Sequence, residues 1–84
     1  MYLAITRVTP LSDYQLELVF ENQKIRLFDV KPYLDLGQFQ QLKDPRLFNT
    51  VHVSFDTIEW ANQLDLDPEL LYQKSIPANN ASSQ

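Results

Sequence analysis

Three observations predict an α+β fold for this chain. Two stretches alternate apolar with polar residues and fold back on themselves at short polar turns. Two Asp-Pro pairs, Asp44-Pro45 and Asp67-Pro68, are built to open helices, and the apolar residues that follow them are too few for long ones. The expected architecture is an antiparallel sheet of about five strands, a three-stranded meander plus a second hairpin, with short helices on one side. With 84 residues, 44% of them hydrophobic, the chain suits one domain, expected over residues 1–76, and residues 77–84 read as a disordered tail without apolar pattern.

Leu3 to Val8 reads as the first strand, and Pro10, which cannot donate to a ladder, is expected to break it before Ser12 and Asp13 turn the chain. In the second strand, Tyr14 to Phe20, Leu16, Leu18 and Phe20 alternate with Gln15, Glu17 and Val19. Placing Asn22-Gln23 at a two-residue tip pairs Phe20 with Ile25 and Leu18 with Leu27 on one face, and Glu21 with Lys24 and Val19 with Arg26 on the other. Pro32 opens a helical turn that Gly37, the only glycine, is expected to end with positive φ. Phe39, Leu42, Leu47 and Phe48 then recur at near-helical spacings across Asp44-Pro45, predicting two short helices or helical turns over the sheet.

A second hairpin is expected from Thr50 to Trp60. With Phe55-Asp56 at the tip, Val53 meets Ile58 and Val51 meets Trp60 on the buried face, while His52 meets Glu59 and Ser54 meets Thr57 on the wetter one. Phe55 is an unusual tip residue. Asp67 then caps a last helix: its carboxylate can accept from free N–H groups of the first turn, Pro68 fits the first helical position, and Glu69 sits near the positive end of the dipole. Leu66 and Leu71 are spaced as a hydrophobic staple, and the helix should stop before Pro77.

The net charge of −4 is unevenly distributed. Up to residue 50, six basic and six acidic side chains cancel; beyond it Asp56, Glu59, Asp65, Asp67 and Glu69 face only Lys74. An acidic pole repels phosphate backbones, so direct nucleic-acid binding is not expected, while a basic protein partner would be attracted. The absence of cysteine excludes disulfides and cysteine-based zinc sites and suits a reducing cytoplasm, the expected location. No apolar run approaches the ~18 residues of a spanning helix, so no membrane association is expected.

Candidate chemistry is sparse. Asp65, Asp67 and Glu69 alternate as in a calcium loop, but the sixth and twelfth positions of that loop would fall on Leu70 and Ile76 instead of glycine and glutamate. His52 is the only histidine, and none of Ser12, Ser54 and Ser75 sits in a glycine-flanked nucleophile elbow. Neither catalytic residues, nor a metal site, nor a cofactor is therefore expected. Trp60 has two readings: core on the buried hairpin face, or an aromatic anchor whose edge reaches the surface beside Asn62 and the carboxylates.

The run Trp60-Ala61-Asn62-Gln63-Leu64-Asp65-Leu66-Asp67-Pro68-Glu69, with Leu71-Tyr72 after it, resembles the closing signature of a bacterial family known as domain of unknown function 2442. There the usual form is close to Trp-Pro-Asn-Gly followed by Asp-aliphatic-Asp-Pro-Glu, so Ala61 and Gln63 replace a proline and a glycine. Val8 to Phe20, with Tyr14 and Leu16, and Phe39 to Phe48, with Leu42, also fit, and the resemblance spans residues 3–73. It implies a small free-standing bacterial protein. Similar members carry a helix-turn-helix segment, for which this chain is too short, or are encoded beside another small protein in an arrangement similar to toxin-antitoxin pairs.

The expected function is a protein-interaction or regulatory module, in its sharpest form an antitoxin-like partner of a small basic protein, with Trp60, Asn62, Asp65, Asp67 and Glu69 as partner-binding residues. The alternatives are a self-associating structural domain, pairing through a sheet edge or the Trp60 face, and a small metal-dependent enzyme using Asp65, Asp67 and His52.

Overall fold

Two polar loops of the same make set most of the strand pairing. A computed structural model describes residues 3–78. In it Glu21-Asn22-Gln23 and Ala61-Asn62-Gln63 each close a three-residue hairpin loop. In each loop the glutamine takes a left-handed backbone, φ 71° at Gln23 and at Gln63, and its N–H donates to the carbonyl of Phe20 or Trp60 at 2.9 and 2.8 Å. The asparagine carboxamide oxygen accepts from the backbone N–H two residues on, at 3.1 Å from Lys24 and 3.2 Å from Leu64. A short turn followed by one left-handed residue is a common three-residue solution for joining antiparallel strands.

The class is α+β, and its seven short strands divide into two antiparallel sheets. The first has the order β1 (Ile5–Leu11), β2 (Gln15–Phe20), β3 (Ile25–Asp29) and β7 (Ile76–Pro77); the second joins β4 (His52–Ser54), β5 (Thr57–Glu59) and β6 (Asp65–Leu66). Between β3 and β4 run 3-10 turns at Lys31–Tyr33 and Gly37–Lys43 and a single α turn, α1 (Pro45–Phe48). α2 (Pro68–Lys74) precedes β7. β1 touches the second sheet through a hydrogen bond of 3.0 Å from Ile5 N–H to Asp56 O.

The first hairpin departs from the expected register by one residue. Because its loop holds three residues, Val19 faces Ile25, Leu18 faces Arg26, Glu17 faces Leu27 and Leu16 faces Phe28. Phe28 and Val30 therefore enter the core, whereas Ile25 is exposed on the outer face. Arg26, on the inner side beside Leu18, is half-buried. Its guanidinium lies 4.4 Å over the Tyr72 ring and donates from Nε and Nη2 to the hydroxyl and carbonyl of Ser75, each at 2.6 Å. Tyr72 in turn meets Phe20 edge to face, with centroids 4.9 Å apart. This knot ties the end of α2 to β3 through stacking and charge-assisted hydrogen bonds.

Pro10 does not break the first strand, which continues to Leu11. β1 lies at the edge of its sheet, and there a residue without an N–H is tolerated. The turn that follows uses left-handed residues, Asp13 at φ 62° and Tyr14 at φ 61°. Lys31 braces it: Nζ lies 2.7 Å from Asp13 Oδ2 and 3.6 Å from Asp29 Oδ1. The hydrogen bond that Lys31 donates to Asp13 raises the Lys31 pKa above its ordinary value of 10.5, partly offset by desolvation and reinforced by the nearby Asp29 charge.

Both Asp-Pro pairs behave as expected. Asp44 Oδ1 accepts from Arg46 N–H at 3.0 Å and Asp67 Oδ1 from Glu69 N–H at 3.4 Å. Leu66 and Leu71, the spaced staple, are both buried. Gly37 has the expected positive φ, 47°, and opens the second 3-10 turn. The second hairpin keeps the expected register, His52 to Glu59, Val53 to Ile58 and Ser54 to Thr57. Of the segment expected as a tail, Pro77 belongs to β7, and residues 79–84 lie outside the described residues.

The core gathers Leu16, Leu18, Phe20 and Phe28 from the first sheet, Ile58 from the second and Trp60 just after β5, and Leu42, Phe48 and Leu71 from the helical segments. Each fully buried aliphatic or phenylalanine side chain contributes roughly 1.5–3 kcal/mol relative to exposure.

Candidate interaction surface

In β5 and β6 the period of two sends alternate residues to opposite sides. Ile58 and Leu66, cross-strand partners, go into the core, which obliges Glu59 and Asp65, the next pair, to face outward together. His52 completes that outer row across β4, with Nε2 3.8 Å from Glu59 Oε1 and Nδ1 3.0 Å from the Thr50 carbonyl oxygen. Like charges directly opposite on a sheet destabilise it, so the Glu59–Asp65 pair opposes folding on this face. Asp67 and Glu69 follow at the start of α2, both exposed.

Four of the seven Lys and Arg side chains of the chain are engaged elsewhere. Lys31 joins Asp13 and Asp29, Lys43 lies 2.9 Å from Asp35, Arg46 lies 3.5 Å from Asp44, and Arg26 is held by Tyr72 and Ser75. Among the described residues, no Lys or Arg side chain stands within ion-pair distance of Glu59, Asp65, Asp67 or Glu69. The charge asymmetry of the sequence is thus a surface property of the second sheet and the helix that follows it.

The five residues expected to bind a partner have different fates. Asp65, Asp67 and Glu69 are exposed on this side of the fold. Asn62 fastens its loop, accepting from Leu64 N–H and donating from Nδ2 to Gln41 Oε1 at 2.9 Å. Trp60 is fully buried, and its indole N–H donates to the Phe48 carbonyl at 3.0 Å. The ring packs against Phe39 and Phe48, with centroids 6.5 and 6.4 Å away, so the core reading holds and its edge does not reach the surface.

Two features escaped the selection made from sequence. Glu59 was assigned only to the His52 pair, although β6, invisible as a two-residue strand, sets Asp65 beside it. Phe55, at the tip between β4 and β5, is 98% exposed and has a left-handed φ of 56°. The signal was its bulk at a tip position that ordinarily takes glycine, asparagine or aspartate.

Among the described residues, no three His, Asp or Glu side chains form a group that could hold a metal ion. Nor is any helix among them long and apolar enough to cross a membrane.

Fold and surface together define a small α+β domain with two antiparallel sheets, one of which presents an acidic outer face. The chain belongs to the family described as Protein of unknown function (DUF2442), whose model matches residues 5–77, nearly all of the described structure. No curated protein and no solved structure matches the chain.

Proposed function

We propose that this domain is a cytoplasmic protein-interaction module, not an enzyme, that captures a small basic partner on the acidic face of the β4–β5–β6 sheet. The observation that carries this reading is the outward Glu59–Asp65 pair: two carboxylates opposed across strands, continued by Asp67 and Glu69, with no Lys or Arg in ion-pair range among the described residues. Asp67 and Glu69 serve the start of α2, but the Glu59–Asp65 opposition costs the fold, whereas a cationic partner would relieve the repulsion and be steered in by the same field. Neutralisation of a small basic protein, as in an antitoxin-like pairing, is the form of regulation this chemistry suits.

The test uses a fluorescein-labelled Lys/Arg-rich peptide as probe, with binding read by anisotropy at low and high salt. Asp65→Lys/Glu69→Lys should weaken binding about tenfold and flatten its salt dependence, because reversed rim charges act on encounter and screening. Glu17→Lys/Asp35→Lys, which changes net charge equally but elsewhere, should retain most of the affinity. Equal losses in the two variants would mean that net charge alone is read, and would contradict a site on this face.

A further inference from the structure

The tip of the β4–β5 hairpin combines two unfavourable features at one residue. A bulky side chain in the left-handed region is strained, and the Phe55 ring, 98% exposed, recovers nothing from packing within its own chain. The sheet register places this residue at one end of the acidic row. Ser54 pairs with Thr57, so Phe55 and Asp56 form the tip, and Thr57 leads from it to Glu59 along β5. β6 runs antiparallel to β5, with Asp65 opposite Glu59 and Leu66 opposite Ile58, so the step from Asp65 to Asp67 approaches the tip. The Thr57 hydroxyl donates to the Leu66 carbonyl and holds that alignment. At about 7 Å for every two residues of strand, Phe55 lies roughly 7 Å beyond the level of Thr57 and Asp67, and roughly 13 Å beyond that of Glu59 and Asp65. The tip itself is anchored, because the Asp56 carbonyl accepts from Ile5 N–H on β1 at 3.0 Å.

We propose that Phe55 is the apolar anchor of the acidic face, and that the segment it receives from its basic partner is amphipathic, with Lys and Arg side chains and an apolar cluster about 7–13 Å to one side of them. This rests on the reading of the β4–β5–β6 face as a site for a basic protein, and adds a second requirement on that partner. The match is one of charge and polarity along a single line: carboxylates of Glu59, Asp65 and Asp67, then an aromatic ring. The carboxylates steer a cationic segment and set its direction, but each exposed ion pair contributes little and is screened by salt. An aromatic ring beside them adds affinity by leaving water against apolar side chains, which salt does not screen. A purely polar basic tail satisfies the carboxylates and leaves Phe55 in water, whereas an amphipathic one covers both. Glycine or asparagine at the tip would relieve the backbone, so the ring has its use outside its own chain. Its backbone is held against β1, so little freedom is lost when the ring is covered.

The experiment compares two fluorescein-labelled Lys/Arg-rich peptides of equal length and charge by anisotropy, at low and high salt. One carries a pair of leucines a few positions from its nearest lysine, and the other has serines in their place. The native chain should bind the leucine peptide about tenfold more tightly, and the preference should persist at high salt, as expected of an aromatic anchor. Phe55→Gly and Phe55→Asn both suit a left-handed backbone and should keep the fold, as circular dichroism will show. Both should bind the serine peptide as the native chain does and lose the preference for leucine. Equal affinity of the native chain for the two peptides overturns the proposal and leaves the acidic face standing, as does a preference that survives in Phe55→Gly. Failure of either peptide to bind at low salt contradicts the acidic face itself, and the anchor falls with it. A native dimer in analytical ultracentrifugation that Phe55→Gly dissolves would show the ring covered by a second copy of the chain, and would overturn the proposal as well.

Discussion

Replacing Gln63 by glycine should stabilise the domain, although it removes side-chain atoms and adds no contact. Gln63 sits at φ 71°, where an L residue is disfavoured by about 1–2 kcal/mol and glycine is not. Against that gain stands the greater freedom of glycine in the unfolded chain, about 0.5–1 kcal/mol. Gln63 contributes no hydrogen bond through its side chain, and its loop is held by backbone bonds and by Asn62, all of which glycine preserves. The net expectation is a gain of about 0.5–1 kcal/mol, or a rise of about 2–8 °C in Tm for a domain of this size. Gln23→Gly, at the same φ and in a loop of the same make, should give a similar rise, and the double variant should be near-additive because the two loops share no partner. Thermal unfolding followed by circular dichroism, with urea titration to confirm an unchanged m-value, measures the effect. A loss of stability in both single variants would refute the reasoning, since it would mean that the left-handed residues are not a source of strain.

Trp60→Phe should lower stability by about 2–4 kcal/mol, measured by urea denaturation, because it combines lost volume in a fully buried site with a Phe48 carbonyl deprived of its indole donor. Glu59→Lys should raise the stability of the isolated domain by a few tenths to about 1 kcal/mol, by placing a cation opposite Asp65, while weakening binding of the cationic probe. Lys31 supplies a pH dependence. Its pKa is raised in the folded state, so its contribution is fully present below 10.5 and is lost as pH rises through the higher folded value. Lys31→Met should accordingly remove that part of the alkaline stability loss in denaturation curves measured across this range.

Those features that local chemistry decides were legible in the sequence. Asp44-Pro45 and Asp67-Pro68 open helices because cap and first-turn proline act within a few residues. The β4–β5 register followed from sorting Val53 with Ile58 and His52 with Glu59. The same sorting misled in the first hairpin, because it assumed that Ile25 and Leu27 face inward. Ile25 lies outside, and Arg26 is accommodated on the inner side by Tyr72 and Ser75 from a distant part of the chain. The repeated Asn-Gln pair at residues 22–23 and 62–63 marked both three-residue loops, a signal that hydrophobic periodicity does not register. β6 and β7, two residues each, are strands only by virtue of their neighbours. For the surface, the excess of carboxylates was visible as a charge count, but which of them share a face depended on β6 pairing with β5. The burial of Trp60 depended on Phe48 offering its carbonyl to the indole.

The central claim, that the acidic face exists for a cationic partner, is tested most directly by the anisotropy titration of the Lys/Arg-rich peptide against the native chain, Asp65→Lys/Glu69→Lys and Glu17→Lys/Asp35→Lys. The account predicts salt-sensitive binding to the native chain, retained when charge is reversed at residues 17 and 35 and lost when it is reversed at 65 and 69. Binding that follows net charge irrespective of position, or no binding at low salt, would contradict it.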